Sequence, residues 1–461
     1  MKVAIIPCSW IVDEGLRLDP RPYVGGAIRA RKAISKLPHL RLEELTAGFR
    51  GGIFTHLFSP KRTYVRDQKY GVQFVGASSM LLADLADLPL LSNRDAESRS
   101  YRPLKIKQGM TLISCSGSVG RMAYARADMD GMATAGDLLK IQPDPTVVRP
   151  GYVFAFLASS IGSQLVNGGT YGTIVQHLER QHIADIPVPR LGDALERTVH
   201  DLIESAATAR VQATELLRRA AETVRSLFKP SASEGAERWS QTSAAALQSR
   251  MDAYYFCREC LAARRAFDSA TARQARLGEI ASVFIPGIFK RKYVDDPSFG
   301  RPYVTGGDVF QIRVDATSFL MRQVAEKYNL VVARNTILIQ EAGQLGGLIG
   351  RCVFVGEHLA GHAVSNNMVR VTGSDPHDIG YLFALLATPE GTLLLSREAA
   401  GSSIPHLDAG RVAALSVPWP DEGRRRQIGS LVLEASSLRD TACVRETDAR
   451  KLIEQALEGS V

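Results

Sequence analysis

The sequence predicts an α+β protein in which two similar domains of mixed strands and helices are separated by two long antiparallel coiled-coil helices. Three observations predict this class. The 461-residue chain repeats itself once, each repeat opens with short strand-like segments between glycine-rich turns, and each repeat closes with a proline-free helical segment. The predicted boundaries are 1–190 and 230–420 for the two domains, and 191–229 and 421–461 for the two helices.

The repeat is carried by blocks that recur in the same order in both halves of the chain. Gly172–Leu178 and Gly401–Leu407 share the pattern G-[TS]-x-[IV]-x-H-L, and each is followed by a proline-rich ending. His177 and His406 in these blocks lie 229 positions apart. Because chance similarity rarely keeps such an order, we infer a tandem duplication of about 230 residues. Further matching pairs are Trp10 and Trp239, Gly71 and Gly300, Gly52–Phe54 and Gly287–Phe289, and Gly120–Arg121 and Gly350–Arg351.

The first part of each repeat predicts short strands mixed with helices. β-Branched and aromatic residues bounded by Gly, Asn or Pro predict strands over Gly71–Gly76, Met110–Ser114 and Val331–Gln340. Apolar segments with helical spacing predict helices over Gly151–Ser163 and Ile379–Ala387.

The last part of each repeat predicts a single long helix. Residues 191–228 and 421–458 contain no proline, and their apolar residues alternate at spacings of three and four. A helix of this length extends over about 57 Å. The simplest partner for each helix is the helix of the other repeat; the alternative is that each packs only on its own domain. The predicted apolar stripes are Leu195, Val199, Leu202, Ala206, Ala209, Ala213, Leu216, Ala220, Thr223 and Leu227, and Ile428, Leu431, Ala435, Leu438, Ala442, Arg445, Ala449, Leu452 and Ala456.

The positive charge of the chain is concentrated in the two predicted domains. Residues 1–190 contain 24 Lys and Arg against 16 Asp and Glu, whereas 239–420 contain 18 against 16. The segments 191–238 and 421–461 each contain 7 basic and 8 acidic residues. Such a distribution favours a polyanionic partner for the domains, although ordinary solubility charge is the alternative.

Several functional classes lack their sequence signatures. No apolar run reaches the roughly 18 residues of a membrane span, and the start of the chain does not have the pattern of a signal peptide, so we expect a cytoplasmic protein. No P-loop is present. Cys257 and Cys260 have no second cysteine pair, and His358 and His362 lack the glutamate of a zinc-protease helix, so we expect no metal site. We also expect no catalytic residues in this chain.

The repeated G-[TS]-x-[IV]-x-H-L block, its proline-rich ending and the long helix that follows resemble the specificity subunit of type I restriction–modification systems. The strand Lys107–Ile113 before the Gly117–Gly120 turn, and its counterpart Arg334–Ile339 before Gly343–Gly350, fit the same family. The resemblance covers essentially the whole chain.

The resemblance implies a DNA-binding protein of phage defence without cofactors of its own. It implies two target-recognition domains that each read one half of a split site in double-stranded DNA. It also implies helices that set the distance between the half-sites and dock methyltransferase subunits. S-Adenosylmethionine and ATP are then expected in the methyltransferase subunits and in a restriction or translocase subunit.

Candidate DNA contacts are basic residues for the phosphates, with aromatic and polar residues beside them for the bases. In the first domain, Tyr64 and Tyr70 are interleaved with the basic candidates, and glycines let the backbone of a second loop approach DNA closely. The alternatives are solvated charge runs, plain turns, and histidines (His177, His406) that only support their loops. The candidates are Lys61, Arg62, Arg66, Lys69, Thr170, Tyr171, Thr173 and Gln176 in the first domain, and Lys290, Arg291, Lys292, Arg301, Tyr303, Ser402, Ser403 and His406 in the second.

Three other functions remain open from the sequence. One is a methyltransferase or nuclease with an unusual motif, which an assay with cofactor on the purified chain would detect. Another is a protein-interaction scaffold, and a third is an accessory DNA-binding protein of another defence system. Binding to random duplex DNA at two salt concentrations separates the scaffold from the DNA-binding proteins.

Overall fold

The computed structural model describes residues 5–13, 21–55, 61–116, 118–169, 177–229, 240–248, 250–401 and 403–459. The chain divides into two units. Unit 1 is Met1–Val211 together with Thr441–Val461, and unit 2 is Gln212–Asp440. Each unit therefore contains the strand-rich part of one repeat and a segment of each of the two long helices.

Unit 1 contains ten strands and seven shorter helices among the described residues, and the first long helix begins in it. The strands are β1 (His39–Arg41), β2 (Ile53–Phe54), β3 (Tyr64–Val65), β4 (Gly71–Val75), β5 (Leu90–Ser92), β6 (Thr111–Ser114), β7 (Met122–Tyr124), β8 (Ala133–Thr134), β9 (Leu138–Ile141) and β10 (Pro187–Pro189). The helices are α1 (Cys8–Asp13), α2 (Arg21–Val24), α3 (Ala27–Ile34), α4 (Asn93–Ala96), α5 (Pro150–Ala158), α6 (Ser160–Gly168), α7 (Arg180–Ala184) and α8 (Asp193–Arg225).

Unit 2 also contains ten strands among its described residues, and the second long helix begins in it. The strands are β11 (Arg273–Arg276), β12 (Ser282–Phe284), β13 (Tyr293–Val294), β14 (Gly300–Val304), β15 (Ser318–Met321), β16 (Ile337–Gln340), β17 (Cys352–Phe354), β18 (Ala363–Val364), β19 (Met368–Thr372) and β20 (Ser416–Trp419). The helices are α9 (Arg258–Asp268), α10 (Leu277–Ile280), α11 (Arg322–Lys327), α12 (Pro376–Leu386), α13 (Pro389–Arg397), α14 (Ala409–Ala413) and α15 (Glu422–Glu458).

The two units have the same sheet topology. Unit 1 has the strand orders β2-β9-β6-β7, β3-β5-β4-β8 and β1-β10, and unit 2 has β12-β19-β16-β17, β13-β15-β14-β18 and β11-β20. In both units the first sheet is antiparallel, and the second ends in one parallel pair, β4 with β8 or β14 with β18. The predicted class of mixed strands and helices with two long helices is confirmed.

A buried tyrosine fixes the proline-rich ending in each unit. The Tyr152 hydroxyl donates to the Pro189 carbonyl at 2.5 Å, and the Tyr381 hydroxyl donates to the Pro418 carbonyl at 2.6 Å. Both tyrosines are fully buried, and burial raises the pKa of each hydroxyl. The neutral hydroxyl therefore satisfies a carbonyl immediately before each long helix.

The sequence predicted one continuous helix over Gly151–Ser163, but the structure has two helices there, α5 and α6. Ser159 is extended between them, and its Oγ accepts a hydrogen bond from the Gly162 amide at 3.1 Å, which caps α6. The same break occurs in unit 2, where Thr388 Oγ1 accepts from the Gly391 amide at 3.0 Å between α12 and α13.

Helices α12 and α13 belong to the core of unit 2, where Leu382, Leu385 and Leu394 are fully buried. In the part of the chain that the structure describes, no single helix is long and apolar enough to cross a membrane. Helices α12 and α13, which meet at an 83° bend, together have the length and apolar composition of a membrane span.

Two other sequence predictions need correction. The strand predicted over Val331–Gln340 is limited to β16, because Asn335 adopts a left-handed φ of 58° and turns the chain just before it. The pairing of Gly52–Phe54 with Gly287–Phe289 is also wrong. Phe54 lies opposite Lys140 in the sheet, and its counterpart Phe284 lies opposite Arg370.

The core of each unit includes side chains from both long helices. In unit 1, Val199 and Ile203 of α8 and Ile453 and Leu457 of α15 pack with the strands and helices of the first repeat. In unit 2, Val224 of α8 and Phe228, which follows the end of α8, are buried together with Ile428 and Val432 of α15. The cores are therefore completed by residues distant in sequence.

The apolar stripe on α15 differs from the predicted stripe at several positions, where the buried residue lies one place later in the sequence. Val432, Ile453 and Leu457 are buried, whereas the predicted Leu431 and Leu452 are only partly buried. The spacing of three and four is kept, so the prediction identified the face of the helix but not its centre. The buried positions of α15 are Ile428, Gly429, Val432, Ala435, Ala442, Cys443, Glu446, Ala449, Ile453 and Leu457.

A buried ion pair links the two long helices within unit 1. Arg210 of α8 lies 2.6 Å from the Glu446 carboxylate of α15, and both side chains are less than a tenth exposed. Burial alone would lower the pKa of Arg210, but the charge and hydrogen bond of Glu446 outweigh it and raise the pKa. A buried charge requires this partner, so the pair disfavours other registers of the two helices.

We predict that Ile453→Ala destabilises unit 1 by about 2–5 kcal/mol, because it leaves a cavity in a core built from both ends of the chain. Chemical denaturation followed by circular dichroism measures this change. Val444→Ala on the same helix is the matched control, because the Val444 side chain is 59% exposed. Equal effects of the two substitutions would show that α15 does not complete the core.

Candidate nucleic-acid interface

The first group of candidate DNA contacts in unit 1 lies on and around β3, which pairs with β5 in the second sheet. Lys61, Arg62, Arg66 and Lys69 are all exposed. The Arg62 guanidinium lies 5.2 Å from the centre of the Phe74 ring and 3.5 Å from the Tyr64 hydroxyl. These ring contacts orient an arginine at the surface without neutralising its charge.

The corresponding group in unit 2 lies on and around β13, which pairs with β15. Lys290, Arg291 and Lys292 are exposed. Arg291 Nε donates to the Tyr303 hydroxyl at 3.2 Å. This contact raises the pKa of the Arg291 guanidinium, so its charge is kept.

These two groups belong to one repeated sequence block, which ends at the matching pair Gly71 and Gly300. The block reads KRTYVRDQKYG over residues 61–71 and KRKYVDDPSFG over 290–300, with Lys, Arg, Tyr, Val, Asp and Gly identical. The aspartate has the same role in both copies. Asp67 accepts from the Lys69 amide and Asp296 from the Ser298 amide, each at 2.8 Å. The spacing of 229 residues is that of the two histidine blocks.

Aromatic rings are exposed at equivalent positions of the two blocks. Tyr64 and Tyr293 are 50% and 53% exposed, and Tyr70 and Phe299 are 57% and 68% exposed. Large aromatic side chains beside basic residues are typical of surfaces that bind nucleic acids or proteins. We name these residues the basic–aromatic surface: Lys61, Arg62, Tyr64 and Tyr70 in unit 1, and Lys290, Arg291, Tyr293 and Phe299 in unit 2.

Two candidates of the second domain do not belong to this exposed set. Tyr303 is 5% exposed, and its ring packs against Phe289 and Tyr293. Arg301 is half-buried and lies 3.2 Å from the Glu326 carboxylate. Tyr303 therefore supports Arg291 from below, and Arg301 already has an anionic partner.

The second group of candidates belongs to the glycine-rich loops. Thr170, Tyr171, Thr173, Gln176 and Ser402 lie outside the described residues. In unit 1, His177 forms an isolated antiparallel β-bridge with Ser116. The amide of the next residue, Leu178, donates to the Cys115 carbonyl at 3.2 Å. The loop therefore ends beside the β6–β7 turn.

Unit 2 repeats this arrangement. His406 forms an isolated antiparallel β-bridge with Ala342, and the Leu407 amide donates to the Glu341 carbonyl at 2.8 Å. His406 Nδ1 also lies 2.7 Å from the Glu341 carboxylate, although the histidine side chain is 54% exposed. Ser403 is exposed. The structure thus brings together the strand-and-turn motif and the histidine block, which are about 65 residues apart in unit 2.

Other loops converge on the same edge of the first sheet. In unit 1, Thr55 donates to the Gly136 carbonyl, and Ser116 Oγ donates to Asp137 at 3.2 Å. In unit 2, the Glu341 amide donates to the Asn367 carbonyl at 3.0 Å. We name this edge the loop edge: residues 115–121, 135–137 and 177 in unit 1, and 341–351, 365–367 and 400–406 in unit 2, as far as they are described.

A cation is buried at the same register position beneath each first sheet. Lys140 Nζ donates to the Leu138 carbonyl at 2.8 Å and lies 5.6 Å from the Phe54 ring centre, and burial lowers its pKa to about 7. Arg370 donates to the carbonyls of Leu330 and Val364, and burial lowers its pKa to about 10. The sequence did not identify Lys140 or Arg370 as buried cations, because a single basic residue in an apolar strand forms no recognisable sequence pattern.

The cysteine and histidine pairs weighed as metal ligands have structural contacts instead. Cys257 caps α9, where its Sγ accepts from the Cys260 amide at 3.4 Å. His358 Nδ1 lies 2.6 Å from the Asp440 carboxylate, which also accepts from the backbone amides of His358 and Glu357. Over the described ranges, no three His, Cys, Asp or Glu side chains are grouped so that they could hold a metal ion.

Comparisons with known proteins return matches only among solved structures. No protein-family model and no curated protein matches the chain. A type I restriction–modification S subunit from M. genitalium is 12% identical, covering 92% of this chain and 95% of its own, with a TM-score of 0.38. An HsdS subunit from Thermoanaerobacter tengcongensis is 14% identical, with coverages of 92% and 97% and a TM-score of 0.28.

A third structure concerns complex assembly and conformational transition of the type I R-M system. Its chain is 15% identical, with coverages of 92% and 98% and a TM-score of 0.28. Likeness at this level of identity and TM-score does not assign a function.

We predict that Lys140→Met stabilises unit 1 by about 1–3 kcal/mol at pH 7, because it removes a buried cation. Between pH 7 and 10.5 the unfolded lysine binds a proton that the folded lysine releases, so wild-type stability rises with pH across this window. Denaturant titrations at pH 7 and pH 9.5 should show a smaller rise for Lys140→Met than for the wild type. An unchanged rise would contradict the burial, and the exposed Lys451→Met is the control.

Proposed function

We propose that this chain is the DNA sequence-recognition subunit of a restriction–modification complex. One observation carries the proposal: two copies of one fold present the same exposed basic–aromatic surface at equivalent positions. A protein with two similar reading units suits a bipartite DNA site, because each unit can contact one half-site. The resemblance of the repeated sequence blocks to type I specificity subunits supports the same function.

The basic–aromatic surface is proposed to contact the DNA backbone. Lys61, Arg62, Lys290 and Arg291 are exposed. The Phe74 ring orients Arg62, and a hydrogen bond to the Tyr303 hydroxyl orients Arg291. Lysine and arginine bind phosphates irrespective of sequence, and each contact releases counterions from the DNA. This surface therefore supplies affinity and its dependence on salt.

The loop edge is proposed to read the bases. In unit 2 the loop edge presents exposed Ser403 and His406, and in unit 1 it presents exposed His177. In each unit, hydrogen bonds to the first sheet fix the backbone of these turns. The candidates Thr170, Tyr171, Thr173, Gln176 and Ser402 belong to the same loops by sequence. Serine, threonine and glutamine can donate to and accept from base edges.

Catalysis is proposed to belong to partner subunits. Methyltransferase subunits that bind S-adenosylmethionine, and a restriction or translocase subunit that uses ATP, would assemble on this chain. The helices α8 and α15, of 33 and 37 residues, are the proposed docking and spacing elements.

A protein-interaction scaffold is the second candidate, since Ile288 and Phe299 are 91% and 68% exposed beside the basic residues of unit 2. A scaffold of this kind would bind protein through the apolar side chains and would show little affinity for duplex DNA. The salt dependence of DNA binding distinguishes the two candidates.

We predict that replacing Lys290, Arg291 and Lys292 together by Ala weakens duplex DNA binding and reduces its salt slope by about 0.9 for each phosphate that the variant no longer neutralises. Fluorescence anisotropy at several salt concentrations measures both quantities. The control replaces Arg197, Arg218 and Arg219 of α8 by Ala, which removes equal charge from an exposed helix surface. A salt slope that is unchanged in the first variant would contradict the proposed role of these residues.

We predict that seven residues inserted after Val211 and seven after Asp440 lengthen the DNA spacer. Each insertion adds about 10 Å of helix, which corresponds to about three base pairs. Sequencing of methylated sites in cells that also express the partner subunits reads the spacer directly. Insertion into α8 alone is the control and should abolish modification, because it breaks the pairing of the two helices. An unchanged spacer after both insertions would refute the role of the helices.

A further inference from the structure

A cavity of about 720 Å³ in unit 2 has four arginines among its lining residues. Its walls come from α9, β11, α10, the end of α13, α14 and β20. Its charged side chains are Arg264, Arg276, Arg397 and Arg411, with Glu279 and Glu398. It uses none of the residues of the basic–aromatic surface or the loop edge.

The arginines in this cavity differ in how far they are neutralised. Arg264 is fully engaged, because it forms two hydrogen bonds to Asp268 and a third to the Ser416 carbonyl. Arg276 and Arg411 are exposed, and across the described segments the structure gives neither guanidinium a hydrogen bond or ion pair. Two cationic groups therefore remain available in the cavity.

Arg397 is a third available cation. Its residue is 7% exposed, and its Nε has no hydrogen-bond partner among the described residues. The guanidinium lies 3.9 Å from the centre of the Tyr255 ring and 3.7 Å from the Glu398 carboxylate, beyond hydrogen-bond distance. Glu398 also lies 3.7 Å from the Arg250 guanidinium, so this one carboxylate is shared between two arginines.

Unit 1 neutralises the equivalent position, which provides an internal comparison. Arg41 ends β1 as Arg276 ends β11, and the backbone amide of each donates to a glutamate three residues later. The Arg41 side chain forms ion pairs with Glu43 at 2.8 Å and Asp185 at 3.5 Å.

In unit 2 the residues at the positions of Glu43 and Asp185 are Gly278 and Ala414. Neither can form an ion pair with an arginine. The cationic surplus is therefore a property of unit 2 and not of the shared fold.

We propose that this cavity binds a small phosphate-bearing anion. Arginine forks match phosphate oxygens in pairs, and the volume is within the range of small-ligand sites. The free guanidinium groups line one concavity instead of following a line, which suits a compact anion better than a DNA backbone. Arg397 and Glu398 directly precede Ala399 and Ala400, which lead into the loop edge of unit 2. A bound anion would thus lie next to the proposed base-reading loop.

The test is isothermal titration calorimetry of the full chain with sodium pyrophosphate in buffer containing sodium chloride. We expect saturable binding to one site, at least about tenfold weaker in Arg276→Gln/Arg411→Gln. The control Arg41→Gln/Arg197→Gln removes the same charge from unit 1 and should bind as the wild type does. All substituted side chains are exposed, so circular dichroism should show folded proteins.

Two results would overturn the proposal. One is the absence of saturable pyrophosphate binding, or equal binding by Arg276→Gln/Arg411→Gln and the wild type. The other is a loss of duplex DNA binding in this variant without any pyrophosphate binding by the wild type, which would assign the arginines to DNA. Because the proposed function is tested at Lys290, Arg291 and Lys292, its failure is distinguishable from failure of this inference.

Discussion

The structure depends on the exchange of helical segments between the two repeats. The last segment of α15 packs into the core of unit 1, where Ile453 and Leu457 are buried, and the end of α8 contributes Val224 to the core of unit 2. Most of the stabilisation of a long helix comes from burying one face, so neither long helix is a passive linker. The Arg210–Glu446 pair adds a polar constraint, since a shift of register would leave one of these charges buried without its partner.

The sequence was sufficient to predict the features that depend on local pattern. The strands β4 and β6 and the two long helices follow from periodicity and from glycine and proline positions. The break at Ser159 was not predictable, because an apolar stretch hides a capping serine whose role depends on the Gly162 amide. The centre of the α15 stripe was missed for a related reason: Leu431 and Val432 are equally apolar, and only the packed partner decides which is buried.

The candidate site was predictable in part. Lys61, Arg62, Lys290 and Arg291 were identified as basic candidates, and they are exposed at equivalent positions of the two units. The sequence did not show that Tyr303 is buried beneath Arg291, because burial of one aromatic residue in an irregular segment depends on tertiary packing. Nor could it show that the histidine block of His406 adjoins the turn after β16, since that pairing joins segments distant in the chain.

The central claim is that the core of each unit is complete only with a helix segment from the other repeat. Hydrogen–deuterium exchange of a chain ending at Asp440, compared with the full chain, tests this most directly. The account predicts that amides of β6 and β9 in unit 1 lose protection, because the shortened chain lacks Ala449, Ile453 and Leu457. Amides of β16 and β19 in unit 2 should keep their protection. Full protection of β6 and β9 in the shortened chain would contradict the account.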